Sequence, residues 1–274
     1  MTGTQTVVIY HAGCADGFTA AWVARKAYPE ADFVPAKYGD EPPDVERRHV
    51  FVLDFSYDEQ TLLEVGSRAR SLVVLDHHAS AFKRVGHLSC CVFDMERSGA
   101  RMAWDHFFGG APVPPLVRYV EDRDLWRWEM PHSRQVNAWI ATQRMEWDNW
   151  DALDWMLRNK GDVVVEKGDA VLEYQAQQVE RICRNARTVV LDGHRVPAVN
   201  TSVLQSETGH RLAEGNPFAV MWCQVDDGRY LVSLRSTDGG EDVSAIAEAH
   251  GGGGHPPAAG FKCDALPWEN GGRS

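Results

Sequence analysis

Residues 7–22 read VVIYHAGCADGFTAAW. The apolar, β-branched run stops at His11. Beyond Cys14 and Asp16, Phe18, Ala21, Trp22 and Arg25 fit one helix, which Tyr28-Pro29 closes. A buried strand that passes through a polar turn into a helix opens an α/β unit. Residues 49–55 (HVFVLDF) and 71–78 (SLVVLDHH) are two more buried strands. Between them, Ser56 and Asp58 are candidate N-caps for a helix with Leu62 and Val65 on its apolar face. Residues 31–39 (ADFVPAKYG) supply a further strand. The alternation predicts an α/β fold with a mostly parallel sheet, helices on both faces and right-handed connections. Ligands of such sheets sit beyond the carboxyl ends of the strands.

Those ends carry the polar residues. His11 and Asp16 follow the first strand, Asp54 ends the second, and Asp76, His77 and His78 end the third. Residues 116–128 (LVRYVEDRDLWRW) add Asp122 and Asp124 after another apolar segment. One aspartate at a strand end is usually a cap or a turn former. Four polar ends converging on one sheet edge point instead to a ligand site. Histidines and carboxylates without clustered cysteines suit Mn2+, Mg2+ or Fe2+ better than structural zinc. Asp54, central among them, is the candidate bridge between two ions about 3.5–4 Å apart.

The formal net charge of −11 argues against a general surface for duplex nucleic acid, while leaving room for a local basic patch. Six cysteines show neither CxxC spacing nor a regular framework, and no apolar run reads as a signal peptide or a membrane span. A soluble, cytoplasmic protein with free thiols is expected. Tryptophans at 126, 128, 139, 147, 150 and 155 are expected to pack in the core, since the run lacks basic interleaving. Residues 166–187 form a connecting helix between a domain at 1–165 and a smaller α/β domain at 188–268 with short strand-like runs; residues 269–274 are expected to be a disordered tail. Within the second domain, GGGGH at 251–255 places Gly252, Gly253, Gly254 and His255 where glycine backbones approach a ligand closely. Arg235, with His255, would add donors or positive charge for a phosphate.

These motifs together resemble the DHH phosphoesterase superfamily with a C-terminal DHH-associated domain. The likeness rests on Asp76-His77-His78, residues 11–17, Asp54, residues 122–126, SLRS at 233–236 and GGGGHPPAAGF at 251–261. YHAGCADGF and EDRDLW are most similar to the branch of nanoRNase and oligoribonuclease-like proteins. The resemblance implies that His11, Asp16, Asp54, His77 and Asp122 hold two Mn2+ ions, with Asp124 competing for the place of Asp122. It implies that Asp54 bridges the ions and that His78 lies beside the reacting phosphate. Arg235, Ser236 and the 252–255 motif would hold the far phosphate of a short substrate. Many relatives carry an aspartate ligand where this chain has Cys14, and a thiolate matches Mn2+ poorly.

The implied activity is two-metal hydrolysis of short single-stranded oligonucleotides to nucleoside 5'-monophosphates, with Mg2+ as an alternative metal. A phosphatase or phosphodiesterase acting on a small nucleotide, such as a nucleoside 3',5'-bisphosphate or cyclic dinucleotide, is the second expectation. A nucleotide-binding regulator that has lost catalysis is the third. Neither a long duplex nor a membrane is an expected partner.

Overall fold

The computed structural model describes residues 5–237 and 239–269; the expected tail beyond Glu269 lies outside the described residues. The chain divides into two compact units, Met1–Leu172 and Glu173–Ser274.

The first unit runs β1 (Thr6–His11), α1 (Ala15–Ala27), β2 (Asp32–Ala36), β3 (His49–Leu53), α2 (Glu59–Arg68), β4 (Ser71–Asp76), α3 (Ala79–Val85) and β5 (Cys91–Phe93). Helices α4 (Gly99–Phe108), α5 (Pro115–Asp124), α6 (Ser133–Ile140) and α7 (Trp147–Asn159) follow. The five strands are all parallel, in the order β2-β1-β3-β4-β5. Successive side chains of a strand face opposite sides, and the core follows that rule. Val8, Phe51, Leu53 and Leu75 pack with Trp22, Met102, Leu116 and Trp150. Val7, Ile9, Val50, Val52 and Val74 pack on the other face with Leu62, Val65 and Val85. The chain leaves β1 toward β2 on one side and returns to β3 on the other, so the strand order reverses between β1 and β3. That is the crevice where parallel sheets bind ligands, and His11 and Asp54 stand at its two sides.

Two features depart from the pattern read in the sequence. β5 is an additional edge strand of three residues. The apolar segment before Asp122 is a helix, because Pro115 occupies its first turn and Leu116, Val117 and Val120 fall on one buried face. Two of the tryptophans anchor α7 to α1: Trp150 Nε1 donates to Thr19 Oγ1 (2.9 Å), and Trp147 stacks on Phe18 with centroids 4.7 Å apart. Trp155, by contrast, is 55% exposed and takes no part in the core.

Helix α8 runs Gly161–Cys183, starting and ending a few residues earlier than the sequence suggests, and the division between the units falls within it. The second unit continues with β6 (Arg187–Leu191), β7 (His194–Asn200), α9 (Gln205–Ala213), β8 (Ala219–Gln224), β9 (Tyr230–Arg235), α10 (Val243–Ala249), β10 (Gly253–His255) and β11 (Ala258–Cys263). Its six strands lie in the order β10-β11-β9-β8-β7-β6, antiparallel except for β7 with β8. The glycine run is therefore structured: it enters a hairpin in which Gly253 pairs with Gly260 and His255 with Ala258. A side chain at Gly252 would overlap the Gly260 carbonyl oxygen, so the close approach of backbones requires glycine there. Among the described residues, no helix is long and apolar enough to cross a membrane.

Candidate metal centre

Asp54 follows the last residue of β3 and adopts a left-handed backbone conformation (φ 58°). This turn places its carboxylate between two histidines from neighbouring strands. Oδ2 lies 3.5 Å from His11 Nδ1, and Oδ1 lies 3.1 Å from His77 Nε2. His77 Nε2 is also 3.8 Å from Asp16 Oδ2 and 3.5 Å from Asp124 Oδ2. Asp16, Asp54 and His77 are each at most 3% exposed. Such a concentration of buried carboxylates is costly unless positive charge compensates it.

The titration shifts express that demand. Burial draws the His77 pKa down, but the hydrogen bond that its ring donates to Asp54 and the charges of Asp124, Asp54 and Asp16 outweigh it and hold the pKa at about 10. Burial works to raise Asp54, yet hydrogen bonds from His11 and His77 keep it well below the usual carboxylate range. Asp16 is pushed well upward by burial, reinforced by Asp54 and Asp124. A proton on His77 thus does for these carboxylates what a divalent cation would do, and the nitrogen and oxygen donors are those that hard and borderline cations take. Among the described residues of this unit, three groups bring potential ligand atoms within 4.8 Å of one another: His11, Cys14 and Asp54; Asp16, Asp54 and His77; Asp54, Asp76 and His78. Asp54 belongs to all three.

Asp122 stands apart from this cluster, and Asp124 stands within it. Asp122 accepts the amides of Glu129 (2.9 Å) and Met130 (3.4 Å) and the Ser133 hydroxyl, which fixes the turn from α5 into α6. Its place against His77 is taken by Asp124, the last residue of α5, whose side chain is 30% exposed. Cys14 caps α1, its Sγ accepting the Gly17 amide at 3.2 Å, and the same sulfur lies 3.3 Å from Asp54 Oδ2 and 3.6 Å from His11 Nδ1. Burial, and then the Asp54 and Asp16 charges, push its thiol well above the ordinary value.

Two partnerships here carry little signal in the sequence. Asp76 is fully buried, and its Oδ1 meets His78 Nδ1 at 2.7 Å while Oδ2 accepts the Ser56 hydroxyl at 2.5 Å. Its position in the Asp-His-His run marks it, but not that it serves His78. Asp16 receives the amides of Gly99 (2.6 Å) and Ala100 (3.0 Å), residues that only the tertiary fold brings to it.

In the second unit, Arg235 ends β9 and Ser236 follows it. Arg235 pairs with Ala258 of β11, so both residues lie at the sheet end that carries the β10–β11 hairpin with Gly253, Gly254 and His255. Arg235 donates to its own neighbour's carbonyl, Leu234 O (2.8 Å), and to Ser206 Oγ (3.1 Å). The Ser236 amide donates to Pro257 O at 2.9 Å, and the residue is 8% exposed. Gln205 and Ser206 at the start of α9 were not suggested by the sequence; Gln205 Oε1 accepts the Ser233 hydroxyl at 2.9 Å, so both side chains hold the SLRS segment.

Residues 202–270 match the DHHA1 domain family. The chain is 27% identical to the uncharacterized protein R106 of Acanthamoeba polyphaga mimivirus, over 93% of this chain and 66% of that one. It is 32% identical to oligoribonuclease NrnB of Bacillus subtilis, over 77% of this chain and 58% of that one. It thus spans slightly under two thirds and rather more than half the length of these relatives. Among solved structures, RecJ of Thermus thermophilus in complex with Mn2+ superposes with a TM-score of 0.57 at 15% identity, covering 98% of this chain and 51% of that one. The pGpG-specific phosphodiesterase PggH of Vibrio cholerae gives 0.51 at 15% identity, covering 94% and 93%. At such identities these two likenesses speak for the fold alone. The Asp76-His77-His78 run at the end of a parallel strand, the carboxylates gathered around it, the DHHA1 match later in the chain and the likeness to NrnB together support a member of the DHH phosphoesterase superfamily.

Proposed function

We propose that the protein is a divalent-metal-dependent phosphodiesterase that hydrolyses short single-stranded oligonucleotides to nucleoside 5'-monophosphates. The observation that carries this is the sharing of Asp54 among three sets of potential ligands. His11, Asp16, Asp54, His77 and Asp124 would hold the cations, and Mn2+ is the favoured ion, with Mg2+ an alternative. Bound there, a pair of such ions supplies activation of water and neutralisation of charge on a phosphoryl group. The protein's part is orientation. Asp54 keeps both sides of the centre in one frame, and Asp76 engages the His78 ring through Nδ1, so that a role of His78 toward the phosphate would run through Nε2. Arg235, Ser236 and the hairpin at 252–255 would grip a phosphate remote from the reacting one, contributing binding energy that aligns a short substrate. The net charge of −11 suits a substrate recognised through few phosphates rather than a long duplex. The NrnB likeness supports oligoribonucleotide as the substrate class.

The test is incubation of the protein with a labelled dinucleotide, with and without Mn2+ and with chelator, followed by chromatography of the products. Mononucleotide released only with metal is the expected result. Turnover restricted to a nucleoside 3',5'-bisphosphate or cyclic dinucleotide would move the assignment to a small-nucleotide hydrolase. No turnover of any of them, with tight nucleotide binding, would make the chain a regulator.

A further inference from the structure

The carboxylates of Asp16 and Asp54 come from different parts of the chain, yet both meet the start of α4. Ser98 is the N-cap of that helix, fully buried, with its hydroxyl accepting the Arg101 amide at 3.3 Å. The amides of Gly99 and Ala100, which have no partner inside the helix at this position, donate to the two oxygens of Asp16 at 2.6 and 3.0 Å. Gly99 meets Asp54 in another way. A methyl group placed on Gly99 would overlap Asp54 Cβ and come within 2.8 Å of both Cγ and Oδ1. Asp54 is held by its own backbone turn, at φ 58°, and by the two histidines on its oxygens. It has no room to retreat without changing the angle at which it faces them.

We infer that Gly99 is a positioning residue for the metal centre: its amide fixes Asp16 and its missing side chain makes the space in which Asp54 faces His11 and His77. This deepens the metal-dependent assignment and rests on it. The consequence is a specific coupling. Adding one methyl at position 99 should disturb Asp54 and Asp16 together, and the damage at Asp54 should vanish when the Asp54 side chain is removed. Groups that orient a metal ligand without touching the metal typically cost about 10–100-fold in affinity when altered.

The experiment compares the full chain with Gly99→Ala, Asp54→Gly, the double variant and, as a control, Gly66→Ala. Gly66 lies in α2, where an added methyl meets only Leu72 Cδ2 at ordinary contact distance. Glycine is a suitable replacement for Asp54 because its backbone already has positive φ. Mn2+ binding is read from the signal of the free aquo ion in electron paramagnetic resonance, and stability from thermal melts in chelator. The expected result is that Gly99→Ala weakens Mn2+ binding by roughly tenfold or more while Gly66→Ala leaves it unchanged. The melting-temperature loss caused by Gly99→Ala should largely disappear in the Asp54→Gly background, a coupling that a general helix defect at position 99 would not produce. Should Gly99→Ala fold too poorly to measure, recovery of the fold in the double variant supports the inference and its absence overturns it. Wild-type Mn2+ affinity in Gly99→Ala overturns it as well, provided Asp54→Gly has lost affinity. If Asp54→Gly binds Mn2+ like the parent protein, the metal assignment itself fails.

Discussion

Asp76 Oδ1 and His78 Nδ1 are 2.7 Å apart, which commits Nδ1 of His78 to the donor role and leaves Nε2 as the ring nitrogen that Asp76 does not engage. The other Asp76 oxygen is occupied by Ser56, so Asp76 has the geometry of an anchor. Asp76→Asn keeps an oxygen for the backbone amides of His77 and His78 and for His78 Nδ1, but removes the negative charge that supports a protonated His78 ring. Turnover of a short oligonucleotide should fall by about 100-fold, the scale of a misplaced acid or base, while the Mn2+ concentration needed for half-maximal activity shifts little. Steady-state kinetics across a metal titration check this, and an unchanged kcat would remove His78 from the mechanism.

Asp54 is the carboxylate the centre can least replace, because its two oxygens face histidines on different strands. Asp54→Ala should abolish hydrolysis at every Mn2+ concentration. The β3 residues Val50, Val52 and Leu53 remain buried beneath it, so the variant should keep the circular dichroism spectrum of the parent. Near-normal turnover in saturating Mn2+ would sink the bridging assignment.

Asp122 and Asp124 should separate cleanly by phenotype. Asp122→Ala leaves the amides of Glu129 and Met130 and the Ser133 hydroxyl without their acceptor, and should lower stability by about 1–3 kcal/mol. Asp124→Ala removes a carboxylate that faces His77 and should raise the Mn2+ requirement about tenfold or more with little change in chelator melts. Paired melts and metal titrations of the two variants decide it, and the reverse pattern would return Asp122 to the ligand set.

The contrast between those two aspartates shows what the sequence could and could not convey. At 3.6 residues per turn, positions two apart on a helix project about 200° from each other, so Asp122 and Asp124 cannot serve the same site. Choosing between them requires knowing which side of α5 is buried. β1, β3 and β4 were legible because each is a short β-branched run that ends in a polar residue, and their order placed His11, Asp54 and His77 at one edge. β5, with only Cys91, Val92 and Phe93, is too short to show a period. The cradle under Asp16 was invisible for a different reason: Gly99 and Ala100 lie more than eighty positions away in the chain, and nothing local marks the amides as partners. Asp76 was visible as part of a motif, but its service to His78 became apparent only from side-chain geometry.

Arg235 lies in the second unit, held by Ser206 at the start of α9. Removing its guanidinium should weaken substrate capture rather than metal loading. Arg235→Ala is expected to raise KM for a dinucleotide by roughly tenfold or more, the loss of a charge-assisted phosphate contact, with Mn2+ stoichiometry unchanged. Loss of metal with normal oligonucleotide binding would refute this division of labour.

Cys14 stands where the family resemblance implies a carboxylate, and its sulfur lies 3.3 Å from Asp54 Oδ2 and 3.6 Å from His11 Nδ1. Its second role is structural, since the same atom caps α1 by accepting the Gly17 amide. Serine and aspartate are good N-caps, so both substitutions should preserve the helix and isolate the effect on metal. A soft sulfur is poorly matched to Mn2+, whereas a carboxylate oxygen suits it. Cys14→Ser should therefore keep most of the activity, and Cys14→Asp should lower the Mn2+ concentration required for half-maximal turnover. Titrating activity against Mn2+ for the three proteins, with direct metal binding measured in parallel, provides the check. A tenfold or larger loss of Mn2+ affinity in Cys14→Ser, with no gain in Cys14→Asp, would identify the thiolate as a ligand in its own right.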